Sequence, residues 1–266
     1  MGQFITIDDN TAIPPPPPGQ GMGLVPRDFR ACPQGYLGMT ARPFDLPLLT
    51  DEEIEAGIRE QAANQSSLQH IRDKAANGQR IPSLDQNGQG YCWAYSTTSA
   101  IMLARAVANL PYVRLSAHMI GCLVKGYRDQ GGWNAQSVDF ATANGVASVE
   151  AWPEKSMSRS NDTPTMRENA KLHTIIEAMD LDEGGENLKR QMATCLLLNI
   201  PYASDHNFWS HSVCACRLIQ WKPTIKVRIW NSWSDAWSDN GMGDLEGSRA
   251  IPQGAIAIRA TTPSVQ

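Results

Sequence analysis

The sequence predicts an α+β fold of two segregated lobes with a cleft at their boundary. Helix-forming stretches come first, short strand-like runs cluster towards the end, and no internal repeat breaks that order. A third observation sets the first part of the chain apart. Pro14 to Pro18 form an unbroken proline run, followed by Gly19, Gly21 and Gly23 and then Pro26, Pro33, Pro43 and Pro47. Such a segment favours extended, irregular backbone and buries little by itself. Residues 1–49 are therefore expected to form a proline-rich arm, 50–79 a helical connector and 80–266 the main domain. The arm needs either its own domain or an assembly partner to hold it.

The connector opens at Thr50 with Glu53 three residues later, a capping box, and a helix is expected from there to about residue 75. Residues 93–108 lack Gly and Pro and carry apolar residues amid small ones, which predicts a central helix packed on several sides. Further helices are expected over 116–125, 134–143, 165–179 and 186–198. Strands are expected over 213–218, 224–230 and 255–259, where short apolar or alternating runs lie between turn residues.

The chain has 266 residues, 42% of them hydrophobic and 19% charged, the composition of a folded globular protein. A formal net charge of −4 provides no positive field for phosphate backbones, so nucleic acid is excluded as the expected partner. No apolar run is long enough to span a membrane. The N-terminus shows no basic region leading into an apolar run, so no classical secretion signal is expected. The six cysteines, Cys32, Cys92, Cys122, Cys195, Cys214 and Cys216, lack the paired spacing of a structural zinc site. Cys214 and Cys216 flank Ala215 in a strand-like run and are expected as small buried side chains on one face.

The stretch Gln86-Asn87-Gly88-Gln89-Gly90-Tyr91-Cys92-Trp93 carries the chemistry. Cys92 falls where a glycine-bearing loop turns into a helix, and the unpaired N–H groups and dipole there favour a thiolate over a thiol. An activated nucleophile is the expectation. Gly88 and Gly90 allow close backbone approach, and Gln86 is near enough to aim its amide at a developing oxyanion. Taken alone, Cys92 is equally readable as a buried helix cysteine.

This block resembles the papain-like cysteine peptidase family, with the second glycine, the nucleophile, the following Trp and the glutamine six residues before it all kept. It departs at Gln89, where the family has a disulfide cysteine, and at Tyr91, where it has a small residue. A second block, Asn231-Ser232-Trp233-Ser234, resembles the family's Asn-Ser-Trp-Gly segment. The resemblance makes Asn231 the group that orients the base and Trp233 its shield from water. The base should precede that asparagine at the start of an apolar strand, and His211 in Ser210-His211-Ser212-Val213 fits. The spacing from Cys92 to His211 is slightly shorter than the family's. His206, in a polar and loop-like setting, is the rival.

Asp129-Gln130-Gly131-Gly132-Trp133 resembles the family's glycine loop, which implies that Gly131, Gly132 and Trp93 line the substrate site. The cysteine that opens that loop in the family is Asp129 here, so both halves of one disulfide, at Gln89 and Asp129, are absent together. Coordinated loss of a bridge suits a reducing compartment. A cytoplasmic or virion-associated location is therefore expected.

What the resemblance implies is peptide-bond hydrolysis on a peptide or protein substrate through Cys92, His211 and Asn231, with Gln86 in the oxyanion hole and neither metal nor organic cofactor required. The competing expectation is an inactive papain-fold scaffold, such as a virion assembly component.

Overall fold

The computed structural model describes residues 4–33 and 41–262, so the arm is seen over 4–33 and 41–49. Seven α-helices are present among the described residues: α1 (Asp51–Asn64), α2 (Leu68–Arg72), α3 (Cys92–Val107), α4 (Ala117–Lys125), α5 (Asn134–Asn144), α6 (Pro164–Lys171) and α7 (Gly185–Leu197). The strands are β1 (Thr6–Ile7), β2 (Arg42–Pro43), β3 (Ile175–Asp180), β4 (Tyr202–His206), β5 (His211–Gln220), β6 (Lys226–Trp230), β7 (Met242–Glu246) and β8 (Gly254–Thr261). They form one sheet in the order β1-β7-β6-β5-β4-β8-β3-β2. Its central strands are antiparallel, and β1 and β2, both from the arm, close its two edges in parallel pairing. The arm is thus held by its own domain.

α3 fixes the architecture. Every residue from Cys92 to Arg105 is buried, because the helix packs on β4, β5 and β8 on one side and on α4 and α5 on the other. Its hydroxyl-bearing residues return their hydrogen bonds to backbone or to other buried side chains: Thr98 Oγ1 donates to the Ala94 carbonyl at 2.8 Å, and Thr97 Oγ1 lies 2.6 Å from Ser137 Oγ. A polar helix can be wholly buried only with such partners.

The capping box at Thr50 forms in both directions, but the helix it starts ends at Asn64. Gln65 adopts a left-handed conformation (φ 48°), and a separate short helix follows from Leu68. The expected helix over 165–179 is also corrected. α6 stops at Lys171, and Ile175–Asp180 pairs with β8 as a strand, the β-branched Thr174, Ile175 and Ile176 preferring the pleated surface. The helices expected over 93–108, 116–125, 134–143 and 186–198 are present to within one residue at their ends. The segment holding His206, expected as loop, is β4, hydrogen-bonded on both sides by β5 and β8. Its polar side chains hid it. β7 was likewise not foreseen.

Tyr91, the bulky departure beside Cys92, has a matching space. Its ring lies against the backbone of α4 at Gly121, where any Cβ would collide with it, and its hydroxyl donates to the Arg128 carbonyl at 2.8 Å. Gly121→Ala should destabilise the fold by about 1–3 kcal/mol through overpacking. Urea unfolding would read this as a lowered midpoint, and adding Tyr91→Ala to Gly121→Ala should recover part of the loss.

Candidate active site

Cys92 is the first residue of α3, and His211 is the first residue of β5, the strand against which α3 packs. The loop after β6 supplies Asn231, whose backbone N–H donates to the Gly241 carbonyl at 2.8 Å. Nε2 of His211 donates to Oδ1 of Asn231 at 2.8 Å, and Oδ1 also accepts the Ser232 N–H at 2.7 Å. With Nε2 committed in this way, Nδ1 is the nitrogen left to accept a proton, and it is buried without a hydrogen-bond partner. Trp233 stacks on the imidazole, its ring centroid 4.5 Å away, and Trp209 meets the ring edge-on at 4.9 Å. These two indoles keep water from the Asn231–His211 hydrogen bond. His206 lies opposite His211 in register on β4, with Nε2 held 3.0 Å from Ser204 Oγ. The hydrogen bond to Asn231 is made by His211, while His206 Nδ1 has no hydrogen-bond partner.

Gln86 is fully buried, and its orientation is set by Ser232, whose hydroxyl donates to Oε1 at 2.5 Å. Nε2 is thereby aimed at two carbonyls, Gln89 at 2.9 Å and Gly21 at 2.8 Å. The second of these belongs to the arm. Gly21 O also accepts from Trp233 Nε1 at 3.1 Å, so one backbone carbonyl of the arm takes up the donors of both Gln86 and Trp233.

The arm continues along the cleft. Gly132 N–H donates to the Gly23 carbonyl at 3.0 Å, Val25 N–H donates to the Gly132 carbonyl at 2.9 Å, and Leu24 N–H donates to the Ser210 carbonyl at 3.1 Å. Leu24 therefore pairs in parallel with Gly132 and bridges to the residue before His211. Gly21 and Gly23 allow this approach: a Cβ on the first would stand 2.6 Å from the Gly88 and Gln89 carbonyl oxygens, and one on the second would collide with Gly90. The backbone of Gly23 acts on the Cys92 thiol, favouring its anion against the larger opposing effect of burial. The arm is thus a resident strand of the chain itself, paired in parallel with Gly132.

Burial under this strand corrects the expectation of an activated thiolate. Desolvation pushes the Cys92 thiol up to about 12, and the Asp205 carboxylate adds to the rise. Burial likewise pulls His211 down to about 4 against the smaller opposing effect of its Asn231 bond. Both partners are neutral across the ordinary pH range.

Gly131 and Gly132 lie against the arm's backbone at Gly23 and Val25. Trp93 does not line the cleft. It is wholly buried beneath Gly132, with Nε1 donating to the Gly90 carbonyl at 3.1 Å, and supports the loop from below. The loops that the family joins by a disulfide are joined here by Asp129, whose Oδ1 accepts the Gly90 N–H at 2.6 Å, and by the Tyr91–Arg128 bond. None of the six cysteines is in a disulfide. Sequence reasoning missed Ser232, Trp209 and the arm's contact with the cleft; two glycines spaced by one residue were the only signal for the last.

No family model matches the sequence. Zingipain-2 of Zingiber officinale is 30% identical over 209 residues, covering 70% of this chain and 91% of that protein. Thiol protease aleurain of Arabidopsis thaliana is 24% identical over 206 residues, covering 68% of this chain and 57% of that protein. Among solved structures, xylellain, a cysteine protease from Xylella fastidiosa, superposes with a TM-score of 0.60 at 15% identity, over 96% of this chain and 100% of that one. Digestive procathepsin L2 from Tenebrio molitor also superposes with a TM-score of 0.60, at 19% identity over 92% of this chain and 78% of that one. With the fold and the zingipain identity in agreement, the chain belongs to the papain-like cysteine peptidase family.

Proposed function

We propose that the protein hydrolyses peptide bonds through Cys92, His211 and Asn231, and that its own N-terminal arm holds it latent. The observation that carries this reading is the Gly21 carbonyl bonded to Gln86 Nε2 at 2.8 Å, since a pocket made to receive a carbonyl oxygen receives one. Once the arm lifts, the sulfur is rehydrated at the tip of α3, where the helix dipole favours its anion. Nδ1 of His211 takes the thiol proton, the thiolate adds to a peptide carbonyl, and the developing oxyanion takes the place of Gly21 O beside Gln86 and the Cys92 N–H. His211 then gives its proton to the leaving amine, and water releases the acyl group. Asn231 keeps the ring aligned throughout. No step calls on a metal or organic cofactor. The cysteines without disulfides support placing the protein in a reducing compartment, cytoplasmic or virion-associated.

A collision built at Gly23 should open the cleft. In Gly23→Ala, iodoacetamide should label Cys92 at least about ten-fold faster than in the natural chain, and hydrolysis of an unstructured protein substrate should rise with it. Adding His211→Ala should then lower hydrolysis by about a hundred-fold or more, whereas His206→Ala should not. Fast labelling without any hydrolysis would favour the scaffold instead.

Acid should destabilise the closed form. Burial holds His118 and His173 at about 4, His206 at about 3 and His211 at about 4, all below the 6.5 of an exposed imidazole. Between about 6.5 and 4 the unfolded chain therefore binds more protons, and each such proton lowers stability by up to about 1.4 kcal/mol per pH unit. Asp205, raised by burial to about 7, acts in the opposite sense between 3.8 and 7, but it is one group against four. Urea midpoints at pH 7 and pH 4.5 check this: the lower pH should give the lower midpoint.

A further inference from the structure

Two residues beyond its contact with Gly132, the arm sends a side chain into the domain. Arg27 forms a fork on Asp180, with one terminal nitrogen 3.2 Å from Oδ1 and the other 2.9 Å from Oδ2. The arginine side chain is 3% exposed and the aspartate side chain 0%. Nε of Arg27 donates to the Cys32 carbonyl at 2.9 Å, and the guanidinium lies over the ring of Phe29 at 4.5 Å, so two more arm residues shape its seat.

A second carboxylate acts on the same place. Asp205 of β4 is 3% exposed, and the charges of both Arg27 and Asp180 act on it. One of its oxygens, Oδ2, accepts the Asn134 N–H at 3.1 Å, and the other, Oδ1, is buried without a hydrogen-bond partner. Asp205 also lies near Cys92 and His211: its register partner on β5 is Ser212, the residue after His211, and its charge acts on the Cys92 sulfur. Two carboxylates are therefore fixed by the sheet, on β3 and β4, while the cation paired with Asp180 comes from the arm, and the Phe29 ring beneath that cation borders Gly254 together with Asp205 Oδ2. If the arm lifts, Arg27 leaves with it, and buried negative charge remains beside the cleft without that cation.

We infer that Asp180 and Asp205 form an acidic specificity pocket, occupied by Arg27 while the arm is closed, which takes a basic side chain, arginine above lysine, from the peptide that replaces the arm. The preference for arginine follows from the fork: a planar guanidinium fills both oxygens of Asp180 at once and leaves further N–H groups for Asp205, whereas an ammonium offers a single point charge. Arg27 is then both a latch and a stand-in for substrate. The substrate half of this inference rests on the peptidase reading; the existence of the pocket does not.

The test uses the whole chain carrying Arg27→Ala. Methylguanidinium and N-acetylarginine amide should each bind saturably and raise the melting temperature, whereas N-acetylleucine amide should not. The same compounds should bind at least ten-fold more weakly to the natural chain, where Arg27 fills the site, and to Arg27→Ala combined with Asp180→Asn. In parallel, Arg27→Ala is given peptides that differ only in Arg or Gln near the cleaved bond, with at least a ten-fold preference for Arg expected. Should Arg27→Ala not fold, Arg27→Gln serves the same measurements, and folding of either variant only when methylguanidinium is present counts as binding. Saturable binding without hydrolysis would support the pocket and overturn the peptidase reading. Hydrolysis indifferent to Arg, or the absence of saturable binding, would overturn the pocket.

Discussion

The structure depends on one demand, that a helix with polar side chains along its length be buried from Cys92 to Arg105. Buried hydroxyls are tolerable only when each finds a partner, and here the partners come from both lobes. Ser96 joins Asn134 of α5 at 2.9 Å and Ser212 of β5 at 2.8 Å, and Ser212 also reaches Asn134 at 2.8 Å. That knot lies next in sequence to His211 and one helical turn from Cys92. The hydrogen bonds that let the polar helix be buried are therefore the ones that hold Cys92 and His211 to a common frame.

The active-site loops were legible because their chemistry needs particular residues at close sequence spacing. The Gln86-to-Trp93 and Asn231-to-Trp233 blocks are each local, and each is carried by one turn of chain. The helices that ran between clear stops were legible too. What escaped were features decided by distant partners. β4 reads as polar loop because Ser204, Asp205 and His206 are buried between neighbouring strands and α5, which supply their hydrogen bonds only in part. β3 was read as helix because its pairing with β8 lies far along the chain. The arm's fit to the cleft is backbone against backbone, which leaves almost no mark on side-chain chemistry beyond the absence of Cβ at Gly21 and Gly23.

The departures from the family pattern also have a joint physical account. Without a disulfide between the nucleophile loop and the glycine loop, those loops are joined by a carboxylate, a tyrosine hydroxyl and a ring packed against bare helix backbone at Gly121. Each contact is weaker than a covalent bridge, but none of them depends on the redox state of the surroundings.

The arm pairs with β7 through Thr6 and Ile7 and with β3 through Arg42 and Pro43, on either side of the stretch that crosses the cleft. Anchored at both ends, that stretch returns to its place as an intramolecular event, at an effective concentration of about a millimolar. Under the latency proposed above, an incoming peptide competes with that local supply and not with a dilute inhibitor, and turnover is then set first by how long the strap stays away. Cutting the chain at the exposed Pro18-Gly19 step would change the topology from a strap to a flap and lower that local concentration without altering a single contact in the cleft.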